Sequence, residues 1–202
     1  MSPRVGETIA VSIREIQAQS YDLYGAPSFG SFVHLASTAP GVEIYAVVQD
    51  IRTEPVDPSR PVVARGAELG CEEAVYEENP HFQRVMRTRF TAVVVGYTLE
   101  GHVFHLLPPQ PPRIHGFVYS CEPEEVVAFT QSFGFLRLLM AAQAGNDLIS
   151  ACLHTAAAAR AGHPDYLVEA GKELVSLLAE DPERLSILLP LLRHPGLRPY
   201  ST

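Results

Sequence analysis

Apolar and polar residues follow two rhythms along this chain, and the change falls near Cys121. Before it, the dominant period is two. Segment 5–13 alternates, with Val5, Ile9, Val11 and Ile13 on compatible faces. Runs rich in Val, Ile, Phe and Tyr follow at Ser31–Ala36, Val42–Ile51, Arg87–Leu99 and Val103–Leu107, and such residues suit a pleated, half-buried surface. Turn signals separate them at Gly25–Pro27, Ala39–Gly41, Pro55–Pro61 and Glu100–Gly101. Gly101 is free to take a positive φ, which predicts a hairpin between Leu99 and Val103. Short strands with no helices between them predict a sandwich or a barrel.

After Cys121 the spacing becomes helical. Pro123 suits a first helical position, and Glu124 and Glu125 fall in a first turn, where the helix dipole favours anions. Val126, Phe129, Phe133, Leu136 and Met140 recur three and four apart, which predicts one apolar stripe on one helix. Gly145–Asp147 offers a stop and a new cap, so a second helix is expected from Leu148 to about Ala161, broken by Gly162–Pro164. A third carries Leu167, Ala170, Leu174, Leu177 and Leu178. Asp181–Glu183 caps a fourth, expected to end before His194–Gly196, with Leu197–Thr202 frayed. The expected fold class is therefore α+β. Residues 1–121 are read as an antiparallel β-barrel of about six strands, and residues 122–202 as an all-helical bundle of about four helices.

Two segments depart from these rhythms. Residues 66–86 hold five Glu within eleven positions and then an Asn79–Pro80 break, read as an acidic excursion with a helical turn near Pro80–Met86. The proline-rich run Leu107–Pro112 donates few backbone hydrogen bonds and favours an extended conformation. It is read as a stiff connector to a last short strand at Gly116–Tyr119, in preference to an SH3-type ligand.

Composition removes several function classes. The 202 residues are 47% hydrophobic and 19% charged, as in a packed globular protein, and folding of a chain this long buries roughly two-thirds of its surface. Cys71, Cys121 and Cys152 are odd in number and form no CxxC pair, so reduced thiols are expected. The N-terminus has no uninterrupted apolar core of a signal peptide, and no stretch approaches eighteen uncharged apolar residues. A bacterial, cytoplasmic protein without a membrane span is expected. The net charge is −8: residues 1–121 hold nine Arg against thirteen Asp and Glu, and residues 122–202 hold six Lys and Arg against ten. Phosphate backbones are bound by surpluses of Lys and Arg, which disfavours general nucleic-acid affinity. A local basic patch at Arg84, Arg87 and Arg89 is the exception.

Catalytic motifs are missing from the sequence. Gly171–Lys172 is followed by Glu173 and lacks the upstream glycine of a phosphate loop, and neither GxGxxG nor GxSxG occurs. His102 and His105, three apart in a predicted strand, point to opposite faces and do not share a metal. Glu72, Glu73, Glu77 and Glu78 form an acidic cluster, read as a solvated face that offers an interaction surface, in preference to a cation site or a carboxyl with its pKa raised by like charges. His105, His115 and Cys121 mark a barrel–bundle cleft. Cys121 lies near a helix N-terminus, which lowers a thiol's pKa, but no partner base is evident and it is read as a packing cysteine. No catalytic, cofactor or metal residue is assigned, and the protein is expected not to be an enzyme.

Gly30–Val33, followed by Ile44–Val48, looks like a glycine-led strand paired with an xYGxV strand; Arg89–Gly96 and Leu107–Pro112 complete the series. This arrangement, over about residues 4–120, resembles the HAS-barrel, the N-terminal β-barrel of HerA-type translocases and of rotary ATP synthase catalytic subunits. Ala46 departs from it, standing where the pattern has glycine. In those proteins a P-loop ATPase domain follows the barrel, and neighbouring barrels form a crown. Here helices follow, so the resemblance implies assembly rather than hydrolysis. The leading expectation is a non-catalytic assembly or adaptor protein whose barrel self-associates, as a homo-oligomer, or docks to a barrel-containing, ring-type ATPase partner. The alternatives are an accessory factor in DNA processing acting through the three arginines, and a small-ligand binder or enzyme using the cleft.

Overall fold

The computed structural model describes residues 2–160 and 165–193. The helix break expected at Gly162–Pro164, the helix end at His194–Gly196 and the frayed terminus lie outside these residues. The described residues hold seven strands: β1 (Arg4–Val11), β2 (Glu15–Ser20), β3 (Phe32–Ala36), β4 (Val42–Pro55), β5 (Met86–Leu99), β6 (His102–Phe104) and β7 (Phe117–Ser120). Their order is β2-β1-β7-β3-β4-β5-β6, and β2 also pairs with β5. Six strands thus close an antiparallel barrel, with β6 appended outside the closure. Closure removes the open edges that an isolated sheet would present.

Each wall strand alternates. Ile16, Ala18, Val33, Leu35, Ile44, Phe90, Ala92 and Val94 fill the interior. Strand β2 has no counterpart in the expectations from sequence. Its inward positions, Ile16, Ala18 and Ser20, alternate with Glu15, Gln17 and Gln19, but two of the three are small. The amplitude of the pattern is therefore low. The β5–β6 hairpin forms as expected, with Glu100 and Gly101 both at positive φ (51° and 79°).

Between β4 and β5 lie α1 (Glu72–Glu78) and α2 (Phe82–Val85). Among the described residues five helices follow the barrel: α3 (Pro123–Phe129), α4 (Phe135–Ala141), α5 (Asn146–Ala158), α6 (Tyr166–Leu177) and α7 (Pro182–Leu191). The expected count of four is corrected, because the first predicted helix is two. Side chains end α3 early by binding its last carbonyls. Thr130 Oγ1 donates to the Val126 carbonyl (2.6 Å), and the Arg160 guanidinium donates to those of Val127 (3.1 Å) and Thr130 (2.8 Å). The His105 ring sits 2.9 Å from the Phe129 carbonyl. The apolar stripe persists across the break because both pieces face the same barrel wall.

Phe32, Tyr45, Val47, Val93 and Val95 point outward from the barrel and join Phe129, Phe135, Leu139, Ile149 and Leu153 in one buried cluster. Tyr45 stacks on Phe129 with ring centroids 4.4 Å apart. Gly30 allows this close approach. At φ 80° its backbone lies against α5, and a Cβ there would meet the Ala151 Cβ at 2.5 Å.

Candidate interaction surface

Strands β4 and β5 pair from Val42↔Leu99 to Pro55↔Met86, further than their other neighbours follow. The β3–β4 ladder ends at Phe32↔Val47, and the β2–β5 ladder reaches only Gln19↔Arg89. Residues 49–55 and 86–88 therefore leave the barrel as a two-stranded ribbon, which residues 56–85 cap. This arm exposes apolar surface: Val62 and Val63 are 62% and 68% exposed, and Val56, Tyr76 and Val85 are exposed as well. It is tethered to the barrel. The Tyr24 and Tyr76 hydroxyls lie 2.6 Å apart, and the Tyr24 amide donates to Thr88 Oγ1 (2.8 Å).

The three arginines do not share one environment. Arg84 is exposed on α2. Arg87 and Arg89 both bind Oε1 of Glu54, at 2.9 and 2.6 Å, so one carboxylate partly neutralises the pair. Glu72, Glu73 and Glu77 lie on α1, which buries none of its residues. At the root of the ribbon is a recess of about 280 Å³, lined by Glu15, Gln17, Gln49, Asp50, Arg52 and Arg89. Its lining carries both signs of charge.

The cleft residues have separate partners. His105, just past β6, contacts the Phe129 carbonyl and Ser132 Oγ (3.2 Å), and burial lowers its pKa against the weaker opposing pull of that carbonyl. His115 lies 3.0 Å from the Glu7 carboxylate at an exposed position. Cys121 follows β7, and its amide donates to the Phe32 carbonyl (3.0 Å). Burial, with Glu125 and Glu43 nearby, pushes its thiol pKa well up, opposite to the effect expected of a helix N-terminus. Among the described residues, no group of three or more His, Cys, Asp or Glu side chains is placed to hold a metal ion.

A polar node that the sequence reading passed over lies beside Cys121. His34, buried on β3, stacks between Tyr45 and Tyr119 at centroid distances of 5.9 and 5.4 Å. Its Nδ1 is 2.6 Å from Glu43 Oε1, and its Nε2 is 3.7 Å from Glu125 Oε1. The bond to His34 holds Glu43 below the ordinary carboxylate range, in spite of burial. Glu125 also accepts from the Glu122 amide (2.7 Å) and from Ser2 Oγ (2.9 Å), so one carboxylate caps α3 and ties it to the chain's start. Glu43 was legible as a hairpin neighbour of His34. Glu125 was not, because that contact depends on how α3 docks.

No protein-family model matches this chain, and no curated protein matches it in sequence.

Proposed function

We propose that this protein is a non-catalytic assembly module whose barrel self-associates or docks to a ring-type ATPase partner. The projecting β4–β5 arm carries this reading. A barrel needs no strand beyond its closure, yet β4 and β5 continue past it and hold exposed valines and a tyrosine in solvent. Apolar side chains grouped on a projecting element favour contact with another protein surface. The resemblance to HAS-barrels, whose copies meet side by side, supports the same reading. The polar node at His34 fits a structural role: its Nδ1 is bound to Glu43 and Glu125 caps α3, while the buried Nε2 has no hydrogen-bond partner among the described residues. The test is light scattering coupled to size-exclusion chromatography over a rising concentration series. A mass that climbs above that of one chain is the expected result. A constant single-chain mass of 22.1 kDa at the highest concentration overturns self-association.

A further inference from the structure

The free edge of the arm has a hydrogen-bond pattern of its own. Just past the last ladder pair, Pro55↔Met86, the Val56 amide donates to the Val85 carbonyl (2.8 Å) at the end of α2, a single bond in register with the β4–β5 ladder that fixes its parity. Bonded and non-bonded pairs alternate along an antiparallel ladder. Glu54↔Arg87 and Arg52↔Arg89 are therefore bonded pairs, whereas Thr53↔Thr88 and Ile51↔Phe90 are not. The opposite side of β5 agrees: Val94 donates to the Arg14 carbonyl (2.9 Å), which by the same alternation turns the Phe90 backbone toward β2. The amides and carbonyls of Ile51 and Thr53 consequently point away from β5. On that side β3 has ended, and no backbone or side-chain bond from the described residues reaches them. Pro55 shares this outward parity and has no amide to donate.

We propose that this edge of β4 pairs antiparallel with the same edge of a second copy, about a two-fold axis at Ile51. The inference rests on the self-association reading above and gives it a register. A two-fold contact must be self-complementary. With Ile51 opposite Ile51 of the second copy, Asp50 faces Arg52 of that copy, and the reverse pair forms as well. These are the non-bonded pairs of the new ladder, where side chains approach most closely. Within one chain half-buried Asp50 and exposed Arg52 lie 2.7 Å apart on one face, already positioned for a four-charge cluster. Other registers fit less well. An axis at Thr53 would set Ile51 opposite Pro55, losing a hydrogen bond, and Arg52 opposite Glu54, which Arg87 and Arg89 already hold. Parallel pairing would set Asp50 beside Asp50 and Arg52 beside Arg52. Axes that pair odd with even positions bring outward groups against inward ones.

A charge swap tests the register. Asp50→Arg and Arg52→Asp each place like charges at both contacts, so each variant alone should dimerise about ten-fold or more weakly than the wild type in sedimentation equilibrium. An equimolar mixture restores both opposite-charge contacts and should form a heterodimer approaching wild-type affinity, which also shows that both variants are folded. In the wild type, hydrogen exchange at the Ile51 and Thr53 amides should slow as concentration rises. If the wild type dimerises and the single variants dimerise equally well, or the mixture does not recover, this register is wrong while self-association stands. If the wild type is monomeric throughout, both readings fall together.

Discussion

His105 shows how one buried ring makes stability depend on pH. Its Nε2 faces the last turn of α3, and Gly134 packs so close to the ring that a Cβ there would lie 2.7 Å from Nδ1. Burial favours the neutral ring, so the folded protein takes up this proton at a lower pH than the unfolded chain, whose histidines titrate near 6.5. The sign follows from linkage. Above the unfolded value both states are neutral and the contribution is fully present; as the pH falls below about 6.5 the unfolded chain binds the proton first, and stability is lost toward the folded value. His105→Gln keeps an amide donor near the Phe129 carbonyl but does not titrate. Denaturant midpoints measured from pH 7.5 to 5 should therefore decline less steeply in the variant than in the wild type. Equal slopes would mean that the ring is not held neutral. Glu43 acts in a separate, lower window: its lowered pKa supplies stability that is lost only as the pH drops below 4.5.

At the scale of elements, Arg160 sets the boundary between α3 and α4. It donates to the carbonyls of Val127, Thr130 and Ala156 and lies 4.0 Å over the Tyr166 ring. Arg160→Ala should cost about 2–4 kcal/mol, since it strands helix-end carbonyls and removes a cation–π contact. Arg160→Lys should recover less than half, because a point charge does not reproduce a planar fork that reaches three acceptors. Urea unfolding of the three proteins measures both numbers, and full recovery by lysine would reduce Arg160 to a charge. The same residue explains what the sequence could and could not disclose. Strands β3, β4 and β5 and helices α5, α6 and α7 were legible because their apolar periods are strong and Asp181 is a plain cap, its carboxylate accepting from the Arg184 amide at 3.0 Å. The α3–α4 break was not, because Arg160, which joins Thr130 in binding the carbonyls at the end of α3, lies thirty positions from it in the chain. Strand β2 escaped because Ala18 and Ser20 give alternation little contrast. The arm's arginines were legible, but their capture by Glu54 depends on strand register. The free edge at Ile51 and Thr53 was invisible until the extent of β3 was known.

At the scale of the molecule, the barrel wall has two buried faces. Its outward residues Phe32, Tyr45, Val47, Val93 and Val95 are buried by helices rather than by other strands. Uncovering five such side chains would cost about 8–15 kcal/mol at 1.5–3 kcal/mol each, as much as a typical domain's whole stability. The helices after Cys121 are therefore expected to be part of what keeps the barrel folded. A chain ending at Cys121 would present these residues to water as one patch, beside an arm that already exposes Val62 and Val63. Expressed alone, it should aggregate, or bind a hydrophobic dye with loss of its near-ultraviolet circular dichroism. The whole chain should unfold in one transition, seen alike by far- and near-ultraviolet signals. A fragment that stays monomeric with the spectrum of a packed barrel would show that the wall tolerates water. The arm could then no longer be singled out as the molecule's adhesive surface, since a larger apolar face would be exposed without consequence.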